Sequence, residues 1–326
     1  MKKTVFCLLS SAGILLSSCT MGSGENSRTV GYATCNMVIP TNGGEPLLSY
    51  GSYVFSFDFN AATASVSTNS LIIDNKTYSF TTDPVKYTDF GYRQVIPGLS
   101  GVVGNGSMDI KDATFMTAIP EIPENFNPTR VFTPTMKDDK GTVSYLPGTI
   151  YHPNIQSVGL MVVANYTMGN EYTVRTFTPD VFYTGDTSTR YQVDGAPQMS
   201  QTKNIVYRII MDIEKKKAAL VMYNAKFSNS PNEPEKSAIY VPDLDVKFTS
   251  GGYEITGTDI VPYMYEGSLS LPDPDTYTKY ENFKFDSFRL ATTDRWLSSV
   301  AVTYKVAGIY DGSFSGKYVT IPDIMK

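Results

Sequence analysis

The stretch Tyr53-Val54-Phe55-Ser56-Phe57-Asp58-Phe59 carries an aromatic side chain at every second position. In an extended chain successive side chains point to opposite faces, so this pattern buries one wall and wets the other. Ile205-Val206-Tyr207-Arg208-Ile209-Ile210-Met211-Asp212-Ile213 does the same with Ile205, Tyr207, Ile209, Met211 and Ile213. A helix would scatter both sets around its circumference, so both segments read as strands. Period-two patterns dominate the rest of the chain, and sustained helical periodicity is scarce.

The two strands lead into matching sequence. Asp58-Phe59, four residues, then Ala64-Ser65-Val66 corresponds without a gap to Asp212-Ile213, four residues, then Ala218-Ala219-Leu220. Each copy predicts a strand, a short polar turn and a returning strand. Asp58 and Asp212, at the repeated position, are expected to cap their turns. Further on, Met108 to Phe115 resembles Asn282 to Phe288, and Ser157-Val158 through Thr178-Pro179-Asp180-Val181 parallels Ser299-Val300 through Ile321-Pro322-Asp323-Ile324. In the last block the turns fall at Met168-Gly169-Asn170 and Tyr310-Asp311-Gly312.

Four blocks in one order predict a duplicated unit, each copy closing its own core. The expected organisation is a tether and lead-in over 19–49, a first β domain over 50–183 with a long insertion at 116–153, a linker over 184–203 rich in Thr, Ser, Gly, Asp and Gln, and a second β domain over 204–326. The fold class is all-β, two tandem related antiparallel domains, each a sandwich or a barrel; the hairpin-to-hairpin order favours a meander barrel.

The start of the chain sets its destination. Lys2 and Lys3 precede an apolar stretch from Val5 to Leu16, too short to span a bilayer comfortably, which ends at Leu16-Ser17-Ser18-Cys19. This resembles the bacterial lipobox. The resemblance implies that residues 1–18 are removed as a signal peptide and that Cys19 takes a diacylglycerol and a further palmitate-type acyl chain. Each buried methylene contributes about 0.8 kcal/mol, so two or three chains anchor the protein almost permanently to a membrane. Thr20 stands where inner-membrane lipoproteins similar to this one carry Asp, which points to the outer membrane of the cell envelope and leaves periplasmic or surface orientation open. The polar run Thr20 to Glu25 suits a tether.

The Phe57-Asp58-Phe59 and Met211-Asp212-Ile213 hairpins, the stretch Gly252-Tyr253-Glu254-Ile255-Thr256-Gly257-Thr258-Asp259-Ile260-Val261-Pro262 and the closing Gly312-Ser313-Phe314-Ser315-Gly316 together resemble the calycin-like lipoproteins of Bacteroidetes-type bacteria. The second copy matches better than the first, where Tyr92 to Pro97 corresponds only loosely. The resemblance implies fold and location and brings no activity with it.

Composition narrows the chemistry. A net charge of −5 with scattered Lys and Arg argues against a nucleic-acid partner, which demands a dense basic face. Lys215-Lys216-Lys217 falls where a hairpin tip is expected. With Cys7 in the signal and Cys19 acylated, Cys35 is left as a single thiol. The one histidine, His152, lacks a serine or cysteine motif to serve, and one His with one Cys cannot supply a usual zinc set, so no catalytic residue, metal or cofactor is assigned. Asp243-Leu244-Asp245, Asp273-Pro274-Asp275 and Asp138-Asp139-Lys140-Gly141 lack the spacing of a calcium loop. Tyr263, Tyr265 and the lone tryptophan, Trp296, are the candidate ligand-binding aromatics. The expected function is a membrane-anchored, non-enzymatic envelope protein that binds a glycan, lipid or protein ligand, against two alternatives: a carbohydrate-active hydrolase with a carboxylate pair and a fimbrial or adhesion subunit.

Overall fold

The computed structural model describes residues 26–90, 94–104, 106, 108–117, 135–146, 162–229, 236–249, 252–265, 277–294 and 296–319. Residues 1–18, Cys19, His152 and Asp273-Pro274-Asp275 lie outside the described residues. So do the ends of the fourth matched block, Ser157-Val158 and Ile321 to Ile324.

The chain forms two antiparallel β-barrels of eight strands, in tandem. The strands of the first barrel are β1 Ser27–Pro40, β2 Leu47–Asp58, β3 Thr63–Ile73, β4 Lys76–Thr82, β5 Gln94–Val103, β6 Asp109–Thr117, β7 Val162–Met168 and β8 Tyr172–Phe177. Those of the second are β9 Asp180–Val193, β10 Ala196–Asp212, β11 Lys217–Ala225, β12 Lys236–Thr249, β13 Gly252–Ile260, β14 Phe285–Thr292, β15 Ser299–Val306 and β16 Tyr310–Val319. Each strand pairs with the next, and β8 on β1 and β16 on β9 close the two rings. Closure removes the unpaired edges that an open meander would expose. This settles barrel over sandwich.

Cross-strand register shows the duplication residue by residue. Val30 faces Phe55 and Tyr32 faces Tyr53 in the first barrel; Val181 faces Ile209 and Tyr183 faces Tyr207 in the second. Phe57 opposite Ala64 repeats as Met211 opposite Ala218. Ala164, flanked by Phe115 and Thr176, repeats as Val302, flanked by Leu290 and Phe314. Asn36 opposite Thr176 repeats as Thr187 opposite Phe314. The strands β1 to β8 therefore correspond in order to β9 to β16.

The turn aspartates behave alike. Asp58 Oδ1 accepts from the Ala61 amide at 2.8 Å, and Asp212 Oδ1 accepts from the Lys215 amide at 3.0 Å. Ala62 and Lys216, at matching places in the two turns, are left-handed at φ 49° and 52°. Lys215 and Lys217 pair with Asp212 and Asp245, so the lysine run sits at the hairpin tip.

Among the described residues, large side chains fill the interior of both barrels. Tyr53, Phe55, Phe57, Phe80, Phe115 and Tyr166 fill the first, all buried. Within it the Tyr53 hydroxyl donates to Asn36 Oδ1 at 3.0 Å and lies 2.7 Å from the Tyr166 hydroxyl. Burial pushes both hydroxyls above the ordinary tyrosine pKa. Position for position, the second barrel holds Thr187, Tyr207 and Tyr304. Burial again pushes the Tyr207 hydroxyl well up, with the neighbouring Tyr304 adding to it and Thr187 opposing. Room for these rings comes from the closing segment: a Cβ at Gly312 would lie 1.9 Å from the Tyr304 ring, and one at Gly316 2.3 Å from the Phe314 ring. Phe314 itself stacks on Tyr207 at 3.9 Å.

Several expected boundaries are corrected. The lead-in 19–49 contains a full barrel strand, β1. Residues 184–203 are no linker: they belong to β9 and β10, and only Thr178 and Pro179 separate β8 from β9. The second barrel therefore starts at Asp180 rather than 204. The last turn of the second copy lies at Ala307-Gly308, both at positive φ, while Tyr310-Asp311-Gly312 is already strand. Two compact units result, Met1–Ile122 with His152–Thr178 and Pro123–Tyr151 with Pro179–Lys326. The described part of the 116–153 insertion, 135–146, thus groups with the second unit. Its hairpin, Thr135–Lys137 with Val143–Tyr145, offers the Thr135 carbonyl to the Tyr277 amide at 2.6 Å.

On β10 both faces are buried from Ile205 to Asp212. Arg208, on the face away from Tyr207, forms a two-pronged pair with Asp180, Nε to Oδ1 at 2.9 Å and Nη2 to Oδ2 at 2.8 Å, with side chains only 8% and 9% exposed. Burial works against the guanidinium charge, yet the Asp180 carboxylate, helped by Tyr223, lifts the Arg208 pKa above its ordinary value. The Phe182 ring lies 5.9 Å from the guanidinium carbon.

Candidate functional site

In an eight-stranded antiparallel barrel filled by its own side chains, ligands have access at the mouths. One mouth of the second barrel is formed by the ends of β9, β11, β13 and β15 and the starts of β10, β12, β14 and β16. There the tip of the long β9–β10 hairpin and the β15–β16 turn enclose an open cleft of about 580 Å³. Arg190, Tyr191, Gln192, Gln198, Met199 and Ile309 are among its walls. Met199 is 55% and Ile309 60% exposed, and Val193, at the tip of the β9–β10 hairpin, is 50% exposed. Large apolar side chains gathered this openly mark an interaction surface more often than isolated ones do.

From the cleft a row of half-buried rings crosses the mouth. Tyr191 lies 6.0 Å from Tyr310, Tyr310 stacks on Phe283 at 5.6 Å, and Phe283 lies 5.6 Å from Tyr280. The Lys236 ammonium sits 5.0 Å from the centre of the Tyr280 ring. Beneath them Phe227, 1% exposed, plugs the barrel against Phe285 and Tyr304. The hairpin tip is fixed by Asn229: its amide donates to the Tyr191 hydroxyl at 3.1 Å, its side-chain oxygen accepts from the Ser200 hydroxyl at 2.8 Å, and its Nδ2 donates to the Met199 carbonyl at 3.4 Å. Arg190 and Asp311 face one another across β9 and β16, so opposite charges border the cleft.

The aromatics expected from the sequence separate. Tyr263 and Tyr265 form a short strand, Tyr263–Tyr265, that pairs with β12 at Ala238 to Tyr240, toward the same end of the barrel as the mouth. Tyr263 is buried at 8% exposure, and it joins Tyr240, Tyr277 and Tyr265 in a tyrosine cluster. Trp296 lies at the other end, in the β14–β15 turn, so the structure does not bring it to the two tyrosines. Three residues of the mouth, Tyr191, Phe283 and Tyr310, escaped sequence reasoning. Tyr191 lay in the expected linker and Tyr310 in the expected turn. The signal that finds them is the inward face of each strand carried one further step, from Thr189 to Tyr191, Gly312 to Tyr310 and Phe285 to Phe283.

Trp296 has a structural setting of its own. Asp294 Oδ1 accepts from the amides of Trp296 at 2.8 Å and Ser298 at 3.2 Å, and Oδ2 accepts from the hydroxyls of Ser298 and Ser299. Burial opposes the carboxylate charge, but bonds from Ser299, Ser298 and Trp296 outweigh it and hold the pKa below the ordinary aspartate value. A depressed carboxyl stabilises the fold above its unfolded pKa of about 4, and that contribution is lost as pH falls through the lower folded value. The sole tryptophan reports this turn. Its fluorescence is expected to hold steady down to about pH 4 and to change below it. Asp294→Asn should abolish the acid-dependent change, and an unchanged acid limb in that variant would assign it elsewhere.

Among the acids considered for calcium, Asp138 Oδ1 accepts from the Lys140 and Thr142 amides within its own hairpin, and Asp245 pairs with Lys217 at 2.7 Å. These contacts give both carboxylates local structural work.

No protein-family model and no curated protein matches the sequence. Among solved structures, the chain is similar to intact Ap-TbpB with its N and C lobes, at 11% identity over 91% of this chain and 79% of that one, with a TM-score of 0.25. It is also similar to isotype 1 transferrin binding protein B from serogroup B Neisseria meningitidis, at 12% identity, 89% and 77% coverage and a TM-score of 0.25. A third, the transferrin binding protein B vaccine antigen of Haemophilus parasuis Hp5, gives 8% identity, 90% and 77% coverage and a TM-score of 0.23. The barrel architecture given above rests on strand pairing within the chain itself.

Proposed function

We propose that this chain is a non-enzymatic binding protein of a bacterial cell envelope, tethered to the outer membrane through acylated Cys19. The observation that carries the binding role is the preformed mouth of the second barrel: half-buried rings and exposed apolar side chains held open on a closed β scaffold. Binding groups placed at strand ends of a rigid barrel lose little conformational freedom when they engage a ligand. Tyr265, half-buried toward the same end, extends that surface with the buried Tyr263 beneath it, and Trp296 takes no part in it.

Support for the anchor comes from Leu16-Ser17-Ser18-Cys19 and from the route of the chain after it. The tether enters β1 at Ser27, and β1 reaches the mouth of the first barrel only at Pro40. Ser27 starts β1 at the end of the first barrel away from the mouth that Pro40 lines, so an anchor at Cys19 would join the barrel through that far end.

Metabolic labelling with a palmitate analogue in an envelope-bearing bacterial host tests the anchor. Wild type is expected to carry label and to sediment with membranes, whereas Cys19→Ser carries none and is released with the soluble fraction. An unlabelled wild-type protein, or a Cys19→Ser protein as firmly membrane-bound as wild type, overturns the anchored reading.

A further inference from the structure

We infer that the mouth of the second barrel binds a neutral oligosaccharide, stacked on Tyr191, Tyr310 and Phe283 and hydrogen-bonded by side chains of the adjoining strand tips. This deepens the binding role above and rests on it.

The duplication provides an internal comparison. The first barrel carries a cleft of about 470 Å³ at the corresponding place, between the β1–β2 tip and the β7–β8 turn. Backbone bonding confirms that the two mouths correspond: the Gly169 amide donates to the Asp109 carbonyl at 2.8 Å, and the Ala307 amide to the Lys284 carbonyl at 2.8 Å. Carried through the registers, Tyr191 stands where the first barrel has Pro40, Phe283 where it has Met108 and Phe227 where it has Ile73. Only Tyr310 meets another ring, Tyr172. The first barrel closes with a proline and aliphatic side chains at those places, so closure does not require rings there.

The borders differ as well. Asp74 and Glu171 line the first cleft. Burial raises the Tyr172 hydroxyl pKa, and those two carboxylates raise it further. At the second mouth Arg190 faces Asp311, and Gln192 and Gln198 complete the polar rim.

A sugar ring presents a flat C–H face and a periphery of uncharged hydroxyls. It is matched by aromatic faces beside amide, guanidinium and carboxylate groups whose charges offset each other. Tyr191 lines the cleft, and the half-buried Tyr310 and Phe283 continue from it at centroid separations of 6.0 and 5.6 Å. An open cleft also admits a chain that continues past it at both ends.

Calorimetric titration of the full chain in detergent with gluco-, manno-, xylo- and galacto-configured hexasaccharides tests the site. At least one is expected to saturate in the millimolar range or tighter. Tyr191→Ala combined with Phe283→Ala should weaken it about tenfold or more, given the usual strength of ring contacts. Tyr172→Ala in the first barrel should leave it unchanged. Ile309→Glu, at a side chain 60% exposed, obstructs the mouth without entering the core and provides the same reading should the double variant not fold. The inference is overturned if no saccharide saturates, if binding ignores both mouth variants, or if the mouth takes up a hydrophobic peptide and no sugar. Hydrolysis of a bound saccharide would instead overturn the non-enzymatic reading and leave the site standing. Failed palmitate labelling would overturn the anchor alone.

Discussion

Asp180→Ala is expected to destabilise the second barrel by about 3–5 kcal/mol, because it leaves the Arg208 guanidinium charged and buried without its carboxylate. The two-pronged contact at 2.9 and 2.8 Å satisfies donors that water cannot reach at 8% side-chain exposure. Breaking one partner costs far more than the intact pair contributes. Replacing both, as Asp180→Leu with Arg208→Met, should therefore recover most of the loss. Urea unfolding of the full chain, read together with amide exchange over β9 and β10, separates the cases. A single-variant loss under about 1 kcal/mol, the range of an exposed pair, would show that solvent reaches the site.

Gly185→Ala should be nearly as damaging, by a different route. Gly185 lies on the seam that closes the second barrel, facing Gly316 of β16. A Cβ there would sit 2.0 Å from the Ser315 carbonyl oxygen, 2.8 Å from its carbon and 2.9 Å from the Gly316 Cα. These are backbone atoms of the partner strand, so no side chain can swing aside and the seam itself must part. Overpacking ordinarily costs 1–3 kcal/mol, and the expected loss is about 3 kcal/mol or more. The matching position of the first barrel holds Thr34, whose hydroxyl reaches the Gly51 carbonyl at 3.4 Å. The restriction thus belongs to the second seam, whose register runs unbroken through Gly185 to Thr187, while on its other side β9 carries a bulge against β10 there. A Gly185→Ala protein with an unchanged unfolding midpoint would refute the seam argument.

Alternation in the sequence revealed the inward faces correctly. Tyr53, Phe55 and Phe57, and Tyr207, Ile209 and Met211, are all buried. It failed where inward residues are small or polar. Thr34 and Asn36 are buried on β1, and Thr187 and Thr189 on β9, beside tyrosine rings from neighbouring strands. Composition alone presents such strands as tether and linker. The fourth block failed for another reason: displacing a strand by an even number of residues keeps every side chain on its face. A match placing Gly169 against Asp311 was therefore as regular as the true one against Ala307, and only hydrogen bonding distinguishes them.

The candidate site suffered from both failures. Tyr191 followed the buried threonines of a strand read as linker, and Tyr310 was displaced into a turn. Tyr263, Tyr265 and Trp296 stood out as aromatics near turn residues, a signal that carries no information about which end of a barrel each reaches. Burial of β10 on both faces was equally hidden, since Arg208 and Asp212 read as a solvated side.

The hairpin of Thr135–Lys137 with Val143–Tyr145 lies between β6 and β7 in the chain yet groups with the second unit. In synthesis from the N-terminus it is made before any strand of the barrel with which it groups. Its partners, β9 to β16, follow only after β7 and β8. No single scission can part the two units cleanly, since a break at Thr178 strands this segment with the wrong half. Maturation of the second unit is therefore tied to synthesis of the whole chain, and a truncated product is left with an incomplete module.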